Sequence, residues 1–214
     1  MKRNIFSVLL ALLAFPVVAQ QRMQAKTILD RTVEAFQKAD GVKTRFMVKT
    51  VTNGVMEGSE TGIIQLKGDK FVLHAADMVT WFDGKTQWSY VEKNDEVNIS
   101  TPTHEELRQI NPYTLLYMYQ KGYSCKLGTT QTHRGEAVWE VILTAKDKTQ
   151  ELEQITLRVS KDTYQPLYIL LQQRGTPTRN EITVLSYLTR QHYADSAFVF
   201  NREQYPNAEI IDLR

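Results

Sequence analysis

The sequence predicts a mainly β domain of the α+β class, in which antiparallel strands form an incomplete barrel with helices over one face. Between residues 42 and 190, short runs of alternating apolar and polar side chains are separated by turn dipeptides. One amphipathic helical pattern precedes these runs, and two short helical patterns interrupt them. The runs correspond to about 10–11 strands, and an antiparallel sheet of that size curls rather than stays flat.

Residues 1–19 have the features of a cleavable secretory signal. Lys2 and Arg3 precede an apolar run, Ile5–Val18, that ends in small residues. This run has 14 positions and contains Pro16, whereas a membrane span needs about 20 apolar residues. Gln20 stands where a lipoprotein would begin with cysteine, so we expect an exported chain without a lipid tether.

Cleavage near residue 19 would leave a single domain, 20–214, without net charge. The formal charge of the whole chain is +2, and the two basic residues of the signal account for it. A neutral domain argues against nucleic acid as a partner, because binding phosphates requires clustered basic residues. Cys125 is the only cysteine, so no internal disulfide can form, and we interpret Cys125 as a small buried side chain.

The first element of this domain is an amphipathic helix. Apolar residues at positions 25, 28, 29, 33 and 36 recur at three- and four-residue steps, and charged residues occupy the other side. Gly41 is suited to end the helix in a left-handed conformation.

A meander of short strands follows, and a second set completes the sheet. Turns are predicted at Asn53-Gly54, Gly68-Asp69 and Asp83-Gly84. The strands of the second set cover residues 123–127, 137–144, 154–160, 166–173 and 181–190, and residues 198–201 are a candidate last strand. Between the sets, Thr103 and Glu106 fit a capping box, and Asn111-Pro112 begins an apolar helix.

No residue spacing in the chain indicates catalysis or a metal site. The histidines at positions 74, 104, 133 and 192 lack ligand spacing, and no phosphate-binding glycine loop is present. We therefore expect neither an enzyme nor a cofactor. An exported hydrolase whose acid and base come from distant positions stays open as an alternative.

Apolar side chains are expected to share one face of the first half of the sheet. They form either an ordinary core or, in a wide barrel, the wall of a ligand cavity. The set is Phe46, Val48, Ile64, Leu66, Phe71, Leu73, Trp81, Trp88 and Tyr90.

Six segments together resemble the LolA family, the periplasmic carriers of outer-membrane lipoproteins. The most specific is the Asp-Gly-Lys-Thr-x-Trp-x-Tyr core within Phe82–Tyr90. The others are similar to family segments in place and pattern: Glu57–Leu66, Asn111–Tyr119, Leu152–Val159, Phe198–Phe200 and Tyr205–Asp212. The chain is thus identified as a divergent member.

The resemblance implies a hydrophobic cavity under a helical lid, with Leu115, Leu116 and Met118 as lid residues. It implies binding of acylated lipoproteins or other lipids in the periplasm of a Gram-negative bacterium, by a monomer without cofactor. It also implies partners in an inner-membrane release complex and an outer-membrane acceptor. The alternative is a module that senses envelope lipids or lipoproteins on the same fold.

One position departs from the family pattern. The family carries an Arg-Pro pair that is thought to hold the lid shut, and Gly68-Asp69-Lys70 occupies the matching place. Lys70 is a weak substitute, because an ammonium lacks the planar fork of a guanidinium.

The lid hypothesis predicts that Leu116→Glu abolishes lipid binding, because a carboxylate cannot pack against acyl chains without loss of its hydration. Displacement of a fluorescent fatty acid measures binding, and circular dichroism should show an unchanged β signature. A variant that still binds would show that this helix is not part of the cavity.

Overall fold

A computed structural model describes residues 3–103, 106–107, 119–120 and 122–214, with the backbone alone for residues 3–19. The α-helix α1 spans Arg3–Gln37 and contains the predicted amphipathic segment. Among the described residues, no helix has both the length and the hydrophobicity to cross a membrane.

The predicted stop of α1 is confirmed. Asp40 and Gly41 both have positive φ, 45° and 89°, which is the left-handed conformation that ends many helices. A β-carbon on Gly41 would meet the ring of Tyr193 at 3.2 Å. Glycine is therefore suited to this corner both by conformation and by space.

The strands of the described chain number thirteen, and the prediction of a mainly β fold is confirmed. Two strands were not predicted, namely the two-residue β8 and the C-terminal β13. The bounds are β1 Val42–Thr52, β2 Val55–Lys67, β3 Lys70–Ala75, β4 Met78–Phe82, β5 Gln87–Val91, β6 Glu96–Ser100, β7 Tyr123–Leu127, β8 Thr132–His133, β9 Glu136–Ala145, β10 Leu152–Ser160, β11 Pro166–Gln173, β12 Thr178–Thr189 and β13 Glu209–Asp212.

All thirteen strands belong to one open sheet. The hydrogen-bonded order is β13-β6-β5-β4-β3-β2-β1-β12-β11-β10-β9-β7, and β8 pairs with β9. Pairing is antiparallel except between β13 and β6, which are parallel. The predicted strand at residues 198–201 is wrong, because Asp195–Phe198 forms a 3₁₀ turn and the last strand lies further on.

One face of the sheet wraps around α1, and we call it the inner face. Ala25 and Leu29 of α1 are fully buried in a core that includes side chains from nine strands, such as Ile64 of β2 and Leu157 of β10. This burial against α1 is what an amphipathic helix requires.

The predicted capping box between the two halves of the sheet is confirmed. The Thr103 amide donates to Glu106 Oε2 at 2.7 Å, and the Glu106 amide donates to Thr103 Oγ1 at 3.3 Å. The second predicted helix and the lid residues Leu115, Leu116 and Met118 lie outside the described residues.

Gly62 makes room for a buried aromatic ring of the inner face. It lies opposite Phe46 in the β1–β2 ladder. A β-carbon on Gly62 would stand 2.5 Å from Phe46 Cζ and 3.0 Å from the His74 carbonyl oxygen. The Phe46 ring therefore occupies the space that a side chain at position 62 would need.

We expect Gly62→Ala to lower the free energy of unfolding by about 1–3 kcal/mol, because overpacking displaces a buried ring. Denaturant unfolding measures the loss. Gly58→Ala on the same strand is the matched control, since nothing lies within 4 Å of a β-carbon there. Phe46→Leu should relieve part of the loss when combined with Gly62→Ala, and equal destabilisation at both glycines would contradict this account.

Candidate functional site

Six of the nine predicted site residues lie on the inner face of the sheet. Phe46, Ile64, Leu66 and Phe71 are at most 7% exposed and belong to the core around α1. Val48 and Leu73 pack against the same core but are only partly buried. These two side chains, rather than the four buried ones, are accessible to a ligand.

The prediction that Trp81, Trp88 and Tyr90 share this face is wrong. Register pairs Trp81 with Val72 and with Trp88, whereas Phe82 pairs with the inner-face residue Phe71. Because directly opposite residues of a ladder point to the same side, Phe82 lies inside and Trp81 outside. Alternation alone could not tell which of the two adjacent aromatic residues faces inward.

The outward aromatic residues pack against the C-terminal segment. Trp81 lies 5.6 Å from the Phe200 ring and 5.7 Å from the Tyr205 ring, both edge-on. Tyr90 lies 4.5 Å from Tyr205. This cluster, which also encloses Phe198, attaches the tail to the outer face.

Hydrophobic side chains from the second half of the sheet complete the apolar inner face. The prediction missed them, because it assigned the site to the first half alone. They are partly buried against the same core: Leu127, Trp139, Ala145, Leu152, Leu171 and Tyr187. Together with Val48 and Leu73 they form an apolar lining that we call the apolar wall.

One row of inner-face side chains becomes polar beyond β3. In register, Leu73 lies opposite Thr80, Thr80 opposite Ser89, and Ser89 opposite Asn98. The Gln87 amide nitrogen donates to Ser89 Oγ at 3.1 Å. Sequence reasoning missed this end as well, although the alternation of Gln87 and Ser89 with Trp88 and Tyr90 carries the signal once the register is known.

A hydrogen-bonded group ties residue 119 to α1. The Tyr119 hydroxyl donates to Asp30 Oδ1 at 2.5 Å, and Lys26 Nζ donates to Asp30 Oδ2 at 2.7 Å. The Tyr119 side chain is buried in the core. The chain therefore returns from the segment that precedes β7 by docking on the helix.

Burial and hydrogen bonding together set the ionisation of this group. Burial acts to raise the pKa of Asp30, but the hydrogen bonds from Lys26 and Tyr119 prevail, and the pKa lies below its ordinary value. Burial raises the pKa of Tyr119, and its bond to Asp30 raises it further. Asp30 is thus a carboxylate and Tyr119 a neutral donor at neutral pH.

Lys70, the position that departs from the family pattern, points away from the inner face. Its ammonium pairs with Asp195 Oδ2 at 2.9 Å, and Lys67 pairs with Asp195 Oδ1 at 3.0 Å. Both lysines therefore hold the C-terminal segment on the outer face.

The outer face also carries a depression of about 330 Å³. Its polar lining is Arg45, Thr61 and His74, without a carboxylate. Burial lowers the pKa of His74, and the charge of Lys43 lowers it further. No group of three or more potential metal ligands exists among the described residues.

Comparison with known proteins assigns the chain to a family. The family model of the outer membrane lipoprotein carrier protein LolA matches residues 15–175. No protein with a curated description matches the chain in sequence.

Solved structures are similar to the chain at low sequence identity. An uncharacterized conserved protein from Thermus thermophilus has a TM-score of 0.59 at 11% identity, over 88% of this chain and 99% of that one. A LolA superfamily protein from Nitrosomonas europaea has a TM-score of 0.46 at 11% identity, over 82% and 97%. A chain of the Pseudomonas aeruginosa MucA/MucB complex has a TM-score of 0.42 at 17% identity, over 84% of this chain and 62% of that one.

We expect the contribution of the Tyr119–Asp30–Lys26 group to stability to depend on pH. Asp30→Asn should lower the free energy of unfolding at pH 7 by roughly 0.5–1 kcal/mol, a value discounted for the 45% exposure of the side chain. Because folding lowers the pKa of Asp30, its contribution is complete above the unfolded value of about 3.9 and disappears as pH falls below it. Denaturant unfolding from pH 3 to 8 measures the difference.

Glu34→Gln is the matched control on the same helix. Glu34 pairs with Lys38 at 2.6 Å with the same four-residue spacing but receives no bond from Tyr119. We expect a smaller loss for this variant, and equal losses would contradict a special role for Asp30.

Proposed function

The chain belongs to the family of the outer membrane lipoprotein carrier protein LolA, and we propose that it binds the acyl chains of lipoproteins on its inner face and carries them between the inner and outer membranes. Each methylene group of an acyl chain that is exposed to water costs about 0.8 kcal/mol relative to a buried one. A chain of fifteen methylenes therefore needs cover worth roughly 12 kcal/mol to cross an aqueous compartment.

The apolar wall is the observation that carries this proposal. Its side chains pack on the core from one side but stay partly exposed on the other, so they can contact a ligand without unfolding the core. Leu73 lies on β3, in the first half of the sheet. Trp139, Leu171 and Tyr187 lie on β9, β11 and β12, in the second half. The wall thus extends across the sheet, as a long acyl chain requires.

Several further features belong to the same proposal. Residues 1–19 act as a cleaved signal, and a single domain, 20–214, works in the periplasm as a monomer. An inner-membrane release complex supplies the cargo and an outer-membrane acceptor receives it. We assign no catalytic residue and no cofactor.

Purification from cells that express a tagged lipoprotein, followed by mass spectrometry of the bound material, tests the proposal. We expect acylated lipoprotein in the purified fraction and displacement of a bound fluorescent fatty acid by lipopeptide. Absence of both would refute the proposal. Binding without transfer to acceptor membranes would instead support the sensing module.

The three tryptophans can report which face holds the ligand. A lipopeptide with brominated acyl chains should quench Trp139 in the Trp81→Phe/Trp88→Phe variant, because Trp139 packs on the inner-face core. The Trp139→Phe variant keeps only the two outer-face tryptophans and should not be quenched. Equal quenching in both variants would contradict binding on the inner face.

A further inference from the structure

Two rows of the inner face change from hydrophobic to hydrogen-bonding side chains at β4 and β5. The first row runs from Leu73 through Thr80 and Ser89 to Asn98. The second row runs in register through Phe71, Phe82, Gln87 and Ser100. None of the side chains in either row is charged.

Gln87 has an acceptor that the protein leaves unused. Its Nε2 donates to Ser89 Oγ at 3.1 Å, and this bond directs Oε1 away from Ser89. Oε1 is enclosed and accepts no hydrogen bond within the described part of the chain. A buried acceptor without a donor loses its hydration without compensation, and most buried polar atoms do have a partner.

At this polar end Thr80 is buried, whereas Gln87, Ser89 and Asn98 are only partly buried and stay within reach of a ligand. The Thr80 side chain is 2% exposed, and its hydroxyl lies 3.5 Å from Ser89 Oγ. Partly exposed hydroxyl and amide groups beside an apolar wall are suited to a ligand that has a polar head joined to hydrocarbon chains.

We propose that this end of the inner face binds the neutral head of an acylated ligand, and that Gln87 Oε1 accepts a hydrogen bond from an amide N–H beside the acyl chains. The inference rests on the proposed function, since it presumes acyl chains on the apolar wall. Neither row carries a cation that could pair with a phosphate or a carboxylate, and the adjacent inner-face row ends in the carboxylate of Glu96, which favours an amide over an anionic head. An N–H is the group that the free oxygen needs, because an ester offers only acceptors.

Two lipopeptides test this assignment. One carries palmitoyl chains and a native amide N–H at the acylated residue, and the other is methylated at that nitrogen. We expect the wild-type protein to bind the N–H lipopeptide roughly three- to tenfold more tightly, which is the usual range for one neutral hydrogen bond. Displacement of a fluorescent fatty acid measures both dissociation constants.

Gln87→Met keeps the length of the side chain and removes the acceptor. The preference for the N–H lipopeptide should disappear in this variant, and the affinity for the methylated lipopeptide should stay unchanged. Gln65→Met is the matched control, because Gln65 is a partly buried glutamine on the outer face, opposite Val72, and should keep the wild-type preference.

The outcomes separate the two proposals. If the wild-type protein binds neither lipopeptide, the proposed function fails. If it binds both with equal affinity, or if Gln87→Met keeps the preference, the role of Gln87 is overturned and the proposed function stands. A variant that keeps the wild-type circular dichroism spectrum and loses affinity for both lipopeptides equally would also overturn the role of Gln87.

Discussion

The antiparallel ladder between β1 and β12 is the pairing on which the rest of the fold depends. It joins Val42–Thr52 to Thr178–Thr189, strands that are separated by more than half of the chain. Side-chain bonds reinforce it, from Thr50 to Asn180 and between Thr52 and Thr178, each at 3.0 Å. Without this ladder the two sets of strands would be separate sheets, each with an exposed edge and half of an inner face.

Register along this continuous sheet decides the face on which each side chain lies. Val48 lies opposite Ile182, so the apolar positions of the two halves meet on the same side around α1. A shift by one residue would exchange the inner and outer faces of a whole strand. The register shift opposite Arg45 and Phe46 leaves Leu185 of β12 as an extra residue, so that Val184 and Tyr187 lie opposite the inner-face positions Phe46 and Thr44, and this bulge therefore belongs to the specification of the fold.

The sequence predicts elements better than faces, and the aromatic residues of β4 and β5 show why. Strands, turns, the stop at Gly41 and the Thr103–Glu106 capping box depend on local chemistry, which adjacent residues reveal. The inward position of Phe82, rather than Trp81, depends on the pairing of β3 with β4. The parallel pairing of Glu209–Asp212 with β6 joins strands more than 100 residues apart, and no local pattern encodes it.

The division between buried and partly buried inner-face side chains limits how tightly a ligand can be held. Phe46, Ile64, Leu66 and Phe71 are already covered by protein, so a ligand gains nothing from their area. Only the apolar wall adds contact, and it contributes less than full transfer of an acyl chain into hydrocarbon would. Under the proposed function this is an advantage, because a carrier must release its cargo. If the carrier recovered the full transfer free energy of every acyl chain, the cargo would gain no further free energy by moving to an acceptor. A hydrogen bond at the polar end would then add selectivity for the head with only a modest gain in affinity, roughly three- to tenfold, which an acceptor can match.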